Sequence, residues 1–159
     1  MHDKKLILEI LEQIYDSTQK VLKRFEPIKS VNDFTDSEAG MEKLDAICMQ
    51  LIAVGEALKN LDKITDDSLL PNYPQIDWKK VKGMRDIISH HYFDIDAEAI
   101  YTVCTDHIKV LAQAIKKISE DHFCPVSVVK RIGLNLTFCY NGFVHNSLKS
   151  KGDSSHGAL

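Results

Sequence analysis

Three residues in the middle of this chain have the types and spacing to do chemistry on phosphate: Arg85, His90 and Tyr92, in the stretch Trp78 to Asp96. Arginine carries a permanent charge on a planar fork that matches phosphate oxygens. Histidine has an ordinary pKa of about 6.5 and can move protons near neutrality. Tyrosine adds a hydroxyl that can donate a proton or be modified. Asp86 stands four residues before His90, within one helical turn, where a carboxylate could orient the imidazole.

Helix geometry sharpens this pattern. At about 100° per residue, Arg85 projects close to Trp78, Val81 and Ile88, the apolar stripe of the helix that must carry it. A charged side chain on that side calls for a partner. His90 points roughly 140° away and about 7.5 Å further along the axis, so a straight helix does not aim both groups at one spot. Either the helix ends near His90 and bends, or a second copy of the motif completes the site. Judged by spacing alone, ordinary capping and packing compete with a catalytic role.

The neighbouring residues decide between these readings. Pro74-Gln75-Ile76-Asp77-Trp78, Gly83-Met84-Arg85-Asp86 and His90-His91-Tyr92, followed by Ile95-Asp96, resemble the HepT-like branch of the HEPN superfamily, as does Gly55-Glu56-Ala57 earlier in the chain. The resemblance covers about residues 5–120. It implies an all-α, HEPN-like fold and a metal-independent endoribonuclease that works as a homodimer, with Arg-x4-His from both protomers lining one cleft. By the same resemblance, Arg85 and His90 are the catalytic pair, and Tyr92 is the position adenylylated by a partner nucleotidyltransferase antitoxin. Asp86, Ser89, His91 and Glu56 are supporting positions, and no cofactor is implied. The position after the arginine is often Asn in the family and is Asp86 here. A non-catalytic adaptor or nucleotide-binding subunit is the alternative function.

Composition bounds the rest. At 159 residues, 44% hydrophobic and 27% charged, the chain is an ordinary globular domain with room for a real core. No apolar run approaches the roughly 20 residues of a membrane span, and the N-terminus shows no signal-peptide pattern. The four cysteines, Cys48, Cys104, Cys124 and Cys139, form no CxxC pair, and no His, Cys or carboxylate spacing suggests a metal site. A cytoplasmic, reduced protein without a membrane partner is expected. Residues 1–121 carry 16 Lys+Arg against 22 Asp+Glu, whereas residues 122–159 carry 4 against 1. The acidic body excludes broad electrostatic capture of nucleic acid, so RNA cleavage must rest on a local site or on the partner's charge.

The elements that position the motif follow from periodicity. Ile7, Leu8, Leu11, Ile14, Tyr15, Thr18, Val21, Leu22 and Phe25 predict a first helix over 4–25, ended by Pro27. A second begins near Ser37 and runs to about Asn60, with Met41, Leu44, Ile47, Cys48, Leu51, Val54, Ala57, Leu58 and Leu61 in phase. Gly55 within it costs about 1 kcal/mol against Ala and suggests a close helix approach. Asp62 to Ile76 reads as a loop, with Pro71 and Pro74 in it. Asp77 is the expected N-cap of the motif helix, and Asp94 or Asp96 that of a last helix over Ala97–Ser119. His107 falls on its apolar stripe, as a core or interface histidine.

Beyond Asp121 the helical period stops. Val126–Phe138 could form a strand, but has no evident partner, and a weakly ordered extension over 122–159 is expected beside a helical domain over 1–121. The expected architecture is an antiparallel, up-down helical bundle of four to five helices.

Overall fold

The computed structural model describes residues 3–90 and 95–123. Among them every regular element is helical. Helix α1 spans Lys4–Phe25, the short α2 Asn32–Thr35, α3 Glu38–Ile64, α4 Trp78–His90, α5 Ala97–Thr102 and α6 Ile108–Phe123. A 3-10 turn at Leu70–Asn72 precedes α4, and a π turn at Val103–His107 joins α5 to α6. Residues up to Ser119 belong to one compact unit. The strand expected over 126–138 and the extension around it lie outside the described residues.

Helices α1, α3, α4 and α5 each begin where a side chain can satisfy open N–H groups. Asp3 accepts from the backbone N–H groups of Lys5 and Leu6 at 3.0 and 3.3 Å, and Ser37 from Gly40 at 3.1 Å. Asp77 accepts from the Lys80 N–H at 3.1 Å, and Asp96 from Glu98 and Ala99 at 3.0 and 3.1 Å. Of the two candidates for the last cap, Asp96 is therefore the one used. These bonds to the charged form hold the Asp77 carboxyl below the usual carboxylate range.

Helix α3 is the centre of the domain, packing against α1, α2, α4 and α5. Toward α1 the contact is apolar: Leu11, Ile14 and Val21 of α1 and Ile47, Leu51 and Leu58 of α3 are all buried. Arg24 closes this seam by donating from Nη1 to the Ala46 carbonyl at 2.8 Å. Gly40 lets α2 lie against the start of α3, since a Cβ there would sit 2.2 Å from the Asp33 carbonyl oxygen. Phe25 meets Phe34 and Tyr101 at ring-centroid distances of 6.2 and 5.3 Å, and the Tyr101 hydroxyl donates to the Lys29 carbonyl at 2.8 Å.

Three features differ from the periodicity reading. Helix α3 continues to Ile64, so Asp62 is not in a loop; it is buried and ion-paired to Lys82 of α4. The backbone turns only afterwards, with Asp66 and Asp67 at φ 49° and 55°. Met41, in phase with the α3 stripe, is exposed. The π turn shifts the register of the last helical run by a fraction of a turn, so Ile108 enters the core and His107 faces out. The expected core position of His107 is thereby corrected.

Candidate functional site

Helix α4 is set in place before it contributes anything chemical. Trp78 is buried at its first position, and its indole Nε1 donates to the Tyr73 carbonyl at 2.9 Å. Ile88, ten residues on, is buried as well. Between them α4 runs antiparallel to α3, because Lys82 meets Asp62 while Arg85 lies beside Gly55. A Cβ on Gly55 would come within 2.7 Å of the Arg85 Cβ and 3.4 Å of the Lys82 carbonyl oxygen. The glycine therefore permits the approach that brings the Arg85 stem onto the seam.

The guanidinium that emerges from this seam is held by two carboxylates. Arg85 Nε lies 2.6 Å from Glu56 Oε1, and Nη1 donates to Asp86 Oδ1 at 2.7 Å. Lys59 donates to both oxygens of Asp86 at 3.0 Å, and its Nζ lies 3.9 Å from Glu56 Oε1. The four side chains form a closed ring of alternating charge, two from α3 and two from α4. The hydrogen bond to Asp86, and then the charge of Glu56, push the Arg85 pKa up still further. The bond from Arg85, then that from Lys59, holds the Asp86 carboxyl below its usual range. Arg85 and Asp86 therefore stay charged across the neutral range.

This arrangement corrects one expectation and refines another. The charge of Arg85 is neutralised within its own protomer, so its place on the apolar side does not by itself demand a second molecule. Its side chain is still 36% exposed. Among the described residues, no hydrogen bond joins Asp86 to His90; the carboxylate serves Arg85 and Lys59 instead. Glu56, which sequence reasoning could treat as a solvated residue or a supporting one, is a direct partner of the arginine.

His90 is the last residue of α4 and is exposed, as is Ser89 beside it. Both Arg85 and His90 lie within α4, so the roughly 140° between them stands within one protomer. His91 and Tyr92 lie outside the described residues.

Lys59 and Lys82 were missed by sequence reasoning. A signal existed for both: each lies where an antiparallel α3–α4 pair faces a carboxylate, but only once the register set by Gly55 is known. Among the described residues, no group of three or more His, Cys, Asp or Glu side chains could hold a metal ion, and no helix is long and apolar enough to cross a membrane. Cys48 and Cys104 are buried free thiols, pushed up to about 11 and about 12, chiefly by desolvation. They are packing residues and not nucleophiles.

Known proteins give this geometry its context. The family model described as "Ribonuclease HepT-like" matches residues 5–118, and so contains every helix that builds the site. "Putative RNase MJ0127" of Methanocaldococcus jannaschii is 31% identical over 102 residues, spanning 60% of this chain and 81% of that protein. "Putative RNase TTE0752" of Caldanaerobacter subterraneus subsp. tengcongensis is 29% identical over 110 residues, spanning 69% of this chain and 91% of that protein. No solved structure matches the chain significantly.

Proposed function

This chain belongs to the HepT-like ribonuclease family, and from that premise we propose that it is a metal-independent endoribonuclease, the toxin of a toxin–antitoxin pair. The observation that carries the reading is the preparation of Arg85: a guanidinium fixed at two of its nitrogens, on a side chain still partly exposed, one short helical run from an exposed histidine.

The chemistry needs only these two kinds of group. The ribose 2′-oxygen attacks the adjacent phosphorus while its proton passes to a neutral imidazole of His90. The bond to the 5′-oxygen breaks, and that oxygen takes a proton from an imidazolium. The products are a 2′,3′-cyclic phosphate and a free 5′-hydroxyl, and no oxidant or cofactor enters the balance. Arg85 stabilises the charge that builds on the phosphate oxygens in the transition state. One acid and one base are required at once, which is the reason for a homodimer: two copies of the motif supply two histidines across a shared axis. The acidic body makes such a local concentration of cationic groups the more necessary.

Control of the activity falls to Tyr92. A cognate nucleotidyltransferase moves AMP from ATP onto the tyrosyl oxygen, releasing pyrophosphate. The adduct adds bulk and negative charge two residues from His90, repelling RNA. In a second reading, a non-catalytic nucleotide-binding or adaptor subunit, the partly exposed Arg85 holds a phosphate without cleaving RNA.

The test is a growth assay of wild type, Arg85→Ala, His90→Ala and Tyr92→Phe, each with and without the nucleotidyltransferase. Arg85→Ala and His90→Ala are expected to be harmless. Tyr92→Phe should stay toxic and escape the antitoxin, which in turn should raise the intact mass of the wild type by one or more AMP units. Growth inhibition by His90→Ala equal to that of wild type would refute the nuclease; binding of AMP without RNA cleavage would favour the adaptor.

A further inference from the structure

The charged ring across α3 and α4 has a property that neither the motif nor its spacing contains. Arg85 is fixed from outside its own helix, by Glu56 at Nε, while Asp86 takes only Nη1. Glu56 follows Gly55, the residue whose missing Cβ allows α4 to come this close. One dipeptide therefore sets both how near the arginine stem lies and where its fork points. Lys59, one helical turn on, engages both oxygens of Asp86, the carboxylate that would otherwise face an incoming phosphate with an unbalanced charge.

We infer that Glu56 and Lys59 of α3 are positioning residues for RNA cleavage: Glu56 aims the Arg85 fork at the scissile phosphate, and Lys59 neutralises Asp86 so that the phosphate can approach. The inference rests on the ribonuclease reading given above. Its physical content is a division of labour. Loss of the aim affects the transition state, where arginine must meet a specific geometry. Loss of the neutralisation adds a like charge near the substrate in the ground state as well, and so weakens binding.

The two effects are separable in steady-state kinetics of the full chain, using a fluorophore-labelled, mixed-sequence single-stranded RNA as the probe. Glu56→Ala is expected to lower kcat about tenfold or more, with a melting temperature within a few degrees of wild type because both partners are at the surface. Glu56→Gln keeps an oxygen for Arg85 Nε and should recover most of that loss, to within about threefold of wild type. Lys59→Met is expected to raise KM several-fold while kcat stays within about twofold. Adding Asp86→Asn to Lys59→Met should restore KM, since the unbalanced carboxylate is then gone.

Arg85→Ala in the same assay separates the two levels of the account. If Arg85→Ala is inactive while Glu56→Ala cleaves like wild type, the positioning role is overturned and the ribonuclease reading stands. Equal losses in Glu56→Ala and Glu56→Gln, accompanied by a large drop in melting temperature, would overturn it in favour of a purely structural ion pair. If Arg85→Ala cleaves like wild type, the inference falls together with the reading beneath it.

Discussion

The two long faces of α3 do opposite things. Ile47, Leu51 and Leu58 are fully buried, as are Leu11, Ile14 and Val21 of α1, which packs against it. Toward α4, the same helix presents Gly55, Glu56, Lys59 and Asp62, and the seam is closed by ion pairs to Lys82, Arg85 and Asp86. An apolar seam gains its free energy from the area removed from water and is indifferent to direction. The partly exposed pairs of Arg85 and Lys59 add little stability, but their donors and acceptors meet only at defined angles. One face of α3 therefore supplies the stability of the bundle, while the other supplies direction to a single arginine.

Substitutions should separate these two roles. The largest effect on stability is expected in the α1 seam, where Leu51→Ala removes a fully buried side chain and should cost about 2–5 kcal/mol. In thermal unfolding followed by circular dichroism, that is a fall in melting temperature of roughly 10 °C or more. Activity per folded molecule at low temperature should be nearly unchanged.

Gly55→Ala tests the point where the two seams share a residue. Helix propensity alone favours alanine by about 1 kcal/mol. The added Cβ, 2.7 Å from the Arg85 Cβ, must instead push α4 outward, at an overpacking cost of about 1–3 kcal/mol. The net expectation is a modestly destabilised protein that has lost more cleavage activity than its stability explains. A more stable and fully active variant would show that the close approach is unnecessary.

The smallest effect is expected from acid. The carboxyls of Asp33, Asp77 and Asp86 are all held below their ordinary value, Asp33 and Asp77 chiefly by backbone N–H groups and Asp86 by Arg85. Each has a lower pKa folded than unfolded, so each binds fewer protons in the folded state. Their stabilisation is thus fully present above the unfolded value of about 3.9 and is lost as pH falls through the lower folded values. Melting temperature should be flat from neutrality to about pH 5 and should decline below about pH 4, less steeply in Asp77→Asn than in wild type.

How much of this was legible in the sequence follows the same division. The apolar face declares itself by period: Ile7 through Phe25 marked α1 at its observed bounds, Lys4–Phe25, and Ser37 marked the start of α3. Caps were equally readable, since Asp77 and Asp96 act within three residues of themselves. The ends of helices were less so. Asp62 looked like the beginning of a loop because its partner, Lys82, lies 20 residues away in sequence. His107 looked like a core or interface residue, and its core placement failed because the period assumed 3.6 residues per turn and the π turn breaks it. Arg85 was recognisable as unusual from its place on the stripe, but the pairing with Glu56 and the neutralisation of Asp86 by Lys59 depend on inter-helix register, which no local pattern encodes.

The central claim is that Arg85 and His90 cleave RNA, and the direct measurement is single-turnover cleavage of a labelled RNA by purified wild type, Arg85→Ala and His90→Ala, with each variant's fold checked by circular dichroism. The account predicts that either substitution slows cleavage by about a hundredfold or more while the helical signal is retained, as befits a lost proton-transfer group or a lost transition-state charge. Cleavage at the wild-type rate by folded His90→Ala would contradict it.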